Sequence, residues 1–410
     1  MKSRNVRRAE GLGTASLADL LKQAGQEEFI SFAGDMPADD CLPRERIMAA
    51  QIAEPAREAE DVGSSVPGSS HGQLSILERL CAFMAVRGIA ADPSNTLLTT
   101  GMQQTVQLIA RSLLEPGDTV LVENPTQPAV LRAFLARGLQ VVPVPGDREG
   151  LLIPEAERLM QQHRPKLIYV MPSLGDPDSR LWSEDRRVAL LSLSRRMGVT
   201  IWEDNRYGEL LFPHDSDSAP ASLYELNAGR ERDGVLYTGS FSALLGPSFP
   251  AGWIISSRGT AAQLAAAQQS LEHKDSGEST AYRTFRTLER VLDECDLVEQ
   301  VRIVRMSYFE KMQRTKALLR GHNLNGVSWK EPKGGMFLWV ELPEGLDAEA
   351  LLRSAAAKQV TFETGASFYA KDPQNNHVRL TYSNMPEEQL KSGIDRFAEA
   401  VREFLARSSP

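Results

Sequence analysis

A chain of 410 residues with 42% hydrophobic content is long enough to bury one large core and a smaller one, because the buried fraction of surface rises with size. Its 46 basic and 54 acidic residues leave a net charge of −8 with neither sign in long runs, which argues against a nucleic-acid or anionic-membrane partner and favours a small-molecule ligand. Three widely spaced cysteines, Cys41, Cys81 and Cys295, give neither a disulfide framework nor a zinc pattern.

The start, MKSRNVRRAEGLG, is basic but is followed by no apolar stretch, and no apolar run approaches the length of a membrane span. A cytoplasmic protein is expected. Residues 1 to 55 are expected to form an arm and part of a small domain, and residues 56–300 a large domain. Within the latter, TVLVE at 119–123, KLIYVMP at 166–172, VTIWED at 199–204 and GVLYTGS at 234–240 read as strands apolar enough to be buried on both faces. AVLRAFLARG and RVALLSLSRRMG carry helical spacing and a closing glycine. Short apolar runs alternating with amphipathic stretches predict α/β architecture with a largely parallel sheet. One long helix is expected across 280–320, joining the large domain to a small C-terminal one over 301–410. The strands of that small domain lie in GVSWKEP, GMFLWVELP, VTFET and HVRLTYS.

Seven segments follow one another in a telling order: SFAGDMPADDCLP, ADPSNTLLTTGMQQTVQLIARSLLEPGDTVLVENPTQP, YVMPSLGDPDS, WEDNRYGELLF, YTGSFSALLGPSFPAGWI, PKGGMFLWVELP and NNHVRLTYS. Together they resemble the fold-type I, class I/II aminotransferases that depend on pyridoxal phosphate (PLP). The likeness is strongest to the branch with aminoadipate and kynurenine aminotransferases and the effector domains of PLP-binding transcription regulators. No DNA-binding domain precedes it, so a regulator is not expected. The resemblance implies a large domain with a mostly parallel seven-stranded sheet between helices, a smaller α+β C-terminal domain, and a homodimer. In the family a lysine after Ser-Phe-Ser carries the cofactor as an internal aldimine and shuttles the proton at the substrate's Cα. Here that place is Ala243, after Ser240, Phe241 and Ser242.

Other positions depart as well. The phosphate-binding arginine is Pro250, the ring-stacking tyrosine is Gln127, the partner-reaching tyrosine maps to Pro67, and the asparagine facing the ring oxygen is Asp176. Asp35 stands where the family often has a glycine. Asp204 and Tyr207 keep the family's D-x-x-Y spacing for the ring nitrogen and ring oxygen. The Gly101-Met102-Gln103 turn, with Ser240 and Ser242, forms the anion-binding relic. Arg379 matches the arginine that grips a substrate α-carboxylate.

These departures predict an enzyme of specialised biosynthesis, not competent for ordinary transamination, that acts on an amino acid or a related metabolite without an internal PLP aldimine and independently of PLP. Asp176, Asp35 or His71 would supply acid–base catalysis, with Arg379 and Asp35 on the substrate. No covalently bound cofactor and no metal are expected, PLP and pyridoxamine phosphate being the candidate groups if one binds. A divalent cation on the carboxylates is a second reading of the same groups. The alternatives are a conventional PLP aminotransferase carrying a lysine-to-alanine change, and a non-catalytic metabolite-binding pseudoenzyme. His273 and Lys274 lie in a loop that resembles a substrate-side segment, and Trp253 and Trp339 are expected in the core.

Overall fold

The computed structural model describes residues 29–61, 70–216, 219–227, 233–246, 249–271 and 280–408. Seven strands make the main sheet: β1 (Thr96–Thr99), β2 (Thr119–Glu123), β3 (Gln140–Val144), β4 (Leu167–Val170), β5 (Thr200–Asp204), β6 (Val235–Ser240) and β7 (Gly252–Ile255). Their spatial order is β1-β7-β6-β5-β4-β2-β3. Only β7 runs antiparallel to its neighbours. All residues of β2 and β4 are buried, as near-continuous apolar runs require when helices cover both faces of a sheet.

The helices of the large domain include α1 (Arg44–Asp61), α2 (Ser70–Ala85), α3 (Met102–Leu113), α4 (Pro128–Arg137), α5 (Ile153–His163), α6 (Glu184–Met197) and α7 (Arg258–Leu271). The glycines expected to close α4 and α6 do so in the left-handed region, Gly138 at φ 81° and Gly198 at φ 67°, where a Cβ would be strained. Ser183 caps α6 by accepting from the Arg186 amide at 3.3 Å.

The single helix expected over 280–320 is two, α8 (Thr280–Glu294) and α9 (Leu297–Gly321). Asp296 explains the break. Its carboxylate accepts from the amides of Val298 at 2.9 Å and Glu299 at 3.4 Å, so it starts a new helix instead of continuing the old one. Downstream, β8 (Ser328–Trp329), β9 (Phe337–Glu341), β10 (Glu363–Thr364) and β11 (His377–Thr381) form an antiparallel sheet in the order β8-β9-β11-β10. The segment VTFET is divided: Val360–Thr361 leaves this sheet to pair in parallel with Ile30–Ser31. Helices α10 (Ala348–Ala356) and α11 (Glu387–Ser408) pack beside it.

One joint ties the loop after β5 to the segment before β9, and another ties β11 to the N-terminal segment. Leu211 bridges Gly334, and the Phe212 amide donates to the Lys333 carbonyl at 2.9 Å. The Thr381 amide donates to the Phe32 carbonyl at 2.9 Å, which carries residues 33–35 across the same edge. Among the described residues no helix is long and apolar enough to cross a membrane.

Candidate functional site at the carboxyl ends of the parallel strands

In a mostly parallel sheet the carboxyl ends of the strands are where side chains and loop amides converge. Here β5 ends at Asp204, which is fully buried. Its Oδ2 accepts from the Tyr169 hydroxyl at 2.7 Å and from Arg206 Nε at 2.9 Å, and Oδ1 accepts from the Arg206 amide at 3.1 Å. Arg206 and Asp204 thus form a buried ion pair two residues apart in sequence. Burial raises the Tyr169 hydroxyl well above its usual range, and the adjacent Asp204 charge raises it further.

Tyr207 follows, buried, with its ring edge-on to Phe337 at 5.4 Å and its hydroxyl donating to Asp35 Oδ2 at 3.2 Å. Asp35 itself is exposed. Burial, and then the Asp35 charge, hold the Tyr207 proton on.

Arg379 comes from β11 into the same recess. Its guanidinium carbon lies 3.9 Å from the Phe337 ring centre and 4.9 Å from that of Phe368, a cation between two aromatic faces. Nη1 donates to Asp176 Oδ1 at 2.7 Å, Nη2 is paired with Glu363, and Nη2 also reaches the Gly34 carbonyl at 3.4 Å. Burial works against the charge of Arg379, but the two carboxylates outweigh it and keep the guanidinium protonated. Burial pushes the Asp176 carboxyl upward against the pull of Arg379.

At the opposite side, helix α3 begins after Gly101, whose φ of 94° favours glycine and whose added Cβ would lie 3.1 Å from the Pro250 carbonyl oxygen. Met102 is half-buried and Gln103 exposed. It is Gln104 that engages this turn, accepting from the Thr100 amide at 2.7 Å. Ser242 donates to the Phe249 carbonyl at 3.0 Å, Ser240 to the Ala251 carbonyl at 3.4 Å, and the Ser242 amide to Ser240 Oγ at 3.1 Å. Ala243 is buried in the one-turn helix Ser242–Leu245.

The structure therefore brings Asp35, Asp176, Asp204, Tyr207 and Arg379 together. Gln127 Oε1 accepts from the Ala129 amide at 2.5 Å as the N-cap of α4. Trp253 and Trp339 are core, packed on Phe241 and on Phe368 with His377 respectively. His71 lies in α2, in a part whose side chains are not described, and Pro67, His273 and Lys274 lie outside the described residues. Arg206, Tyr169 and Glu363 escaped the sequence reading. Only Arg206 had a usable signal, an arginine two residues after the strand-end aspartate.

The pattern of the family described as aminotransferase class I and II matches residues 33–397. Aromatic-amino-acid aminotransferase 1 of Thermococcus litoralis is 31% identical over 408 residues, covering 98% of this chain and 94% of its own. The α-aminoadipate aminotransferase LysN of Thermus thermophilus, solved with N-(5′-phosphopyridoxyl)-L-leucine, superposes with a TM-score of 0.85 at 29% identity, covering 98% of each chain. The kynurenine aminotransferase of Pyrococcus horikoshii, solved with pyridoxamine phosphate and kynurenine, gives a TM-score of 0.82 at 29% identity, covering 97% of this chain and 96% of that one. These relatives overturn the expectations of a PLP-independent reaction and of no cofactor, because the similarity runs through the whole chain into proteins named as aminotransferases and solved with cofactor derivatives.

The residues present fit such a cofactor at both ends. A buried carboxylate closes the strand end for a ring nitrogen, and the α3 N-terminus opens beside a glycine where no other side chain is accommodated. Alanine stands at 243 and proline at 250 of this chain.

Proposed function

The chain belongs to the aminotransferase class I and II family, and we propose that it is a conventional PLP aminotransferase in pocket and substrate class, with alanine at 243 where the cofactor-bearing lysine belongs. The meeting of Asp204, Tyr207 and Arg379 in one buried recess carries this reading. When bound, PLP supplies an electron-withdrawing ring that takes up charge developing at an amino acid's Cα. Asp204 would hold the ring-nitrogen proton, Tyr207 the ring-oxygen edge, and the first-turn amides of α3 with Ser240 and Ser242 the phosphate. Arg379 would grip the substrate α-carboxylate. Phe337 and Phe368 fix the plane of that guanidinium and keep water off its faces. Ala243 offers no amine to carry the Cα proton, so turnover by the chain as it stands is expected to be slow.

The test is Ala243→Lys. Mixed with PLP, this variant is expected to gain the visible absorbance of a lysine-bound cofactor and to transfer the amino group of an amino acid to a 2-oxo acid acceptor. A correctly folded variant that stays colourless with PLP would overturn the proposal.

A further inference from the structure

Arg379 does not stand free for an incoming carboxylate. Asp176 holds Nη1 and Glu363 holds Nη2, and the neighbouring Gly34 carbonyl places Asp35 at the rim of the same recess, on the Tyr207 hydroxyl. Two carboxylates share one guanidinium, and a third, Asp35, lies at the exposed rim on the Tyr207 hydroxyl, so the cluster carries more negative than positive charge. Arg206 does not offset them, because it is committed to Asp204. A ligand that brings only a carboxylate to Arg379 would meet Asp176 and Glu363 across a few ångströms of low-dielectric space, which is repulsive.

Two atoms of the Asp176–Arg379 pair itself are open. Asp176 Oδ2 and Arg379 Nε are buried and have no hydrogen-bond partner among the described residues, on side chains 0% and 5% exposed. One is an acceptor on a carboxylate, the other a donor on a guanidinium, and they belong to the same ion pair. An unmet buried acceptor and an unmet buried donor within one ion pair call for a ligand carrying both a cation and an anion. The surplus negative charge calls for more cation than the α-ammonium of a neutral amino acid brings.

We propose that the recess selects an amino acid with a cationic side chain, its carboxylate on Arg379 and its side-chain cation on Asp176 and Asp35. This rests on the reading that Arg379 receives a substrate carboxylate, and it adds the substrate's charge class. Asp176 and Asp35 are then specificity-determining residues.

The experiment is calorimetric titration of the full chain, in the presence of PLP and in its absence, with L-lysine, L-ornithine, L-norleucine and L-2-aminoadipate. L-lysine and L-norleucine share a chain length and differ by the terminal cation. L-lysine or L-ornithine is expected to bind at least about tenfold tighter than L-norleucine, and L-2-aminoadipate weakest of all. Asp176→Asn and Asp35→Asn are each expected to shrink that ratio toward one. Asp35 is exposed, so Asp35→Asn reads the preference without disturbing a buried pair should Asp176→Asn fail to fold. Equal binding of L-lysine and L-norleucine, tighter binding of L-2-aminoadipate, no binding of any of the four, or a ratio unchanged in the folded variants would overturn the inference. A colourless Ala243→Lys variant would sink the cofactor reading while leaving this ratio measurable, so the two fail separately.

Discussion

Arg206 lies across Asp204, its Nε 2.9 Å from Oδ2, so the carboxylate at the end of the central strand meets any ligand already neutralised. A ring nitrogen that seeks Asp204 must share it with the guanidinium. Arg206→Ala is expected to tighten PLP binding about tenfold or more, on the scale of one charge-assisted hydrogen bond. The same change leaves Asp204 uncompensated without ligand, and loss of one partner of a buried pair costs about 3 to 5 kcal/mol. The variant should therefore melt well below the parent alone and recover much of the difference with PLP. Weaker PLP binding by a folded Arg206→Ala would show that the guanidinium holds the cofactor.

Glu123 ends β2 fully buried, accepting from the Met171 amide at 2.6 Å and from Trp182 Nε1 at 3.1 Å. Burial pushes its carboxyl up from 4.5 to about 6 despite Arg180 and these donors. The folded chain thus binds this proton more tightly than the unfolded chain. Stability from this group is full below the unfolded value and falls as pH rises toward 6, by about 2 kcal/mol. Denaturant unfolding of the parent and of Glu123→Gln, each at both ends of that window, isolates the contribution. The gap between the two proteins should shift in favour of Glu123→Gln as pH rises, and a gap independent of pH would refute the assignment.

Asp296 separates α8 from α9, and Asp296→Ala removes the side chain that accepts from Val298 and Glu299. The expected cost is about 1 kcal/mol of stability, with a modest fall in Tm. An unchanged Tm would mean that packing of Leu297, Val301 and Val304 in the core sets the helix start without the cap.

Much of the architecture was legible because the signals are local. A continuous apolar run such as Leu167–Val170 can only be a doubly covered strand, and Gly138 and Gly198 announce their helix ends. Asp296 was equally local, yet the apolar spacing on either side of it hid the break within a helical pattern. In the site, Asp204, Tyr207 and Arg379 were readable from their motifs. Gln127 was not, because a glutamine before proline reads the same whether it faces a ring or caps a helix.

What the amino-acid order determined by itself is therefore most of the elements of the large domain, the family pattern, and the identities of the strand-end groups. Only the tertiary structure decided how their charges are spent. Asp176 and Arg379 are 203 residues apart in the chain and 2.7 Å apart in space, and Glu363 joins them from another strand. Coulombic pairing depends on distance through a low-dielectric interior, and such distances are set only when the fold brings the loop after β4 against β11 and β10.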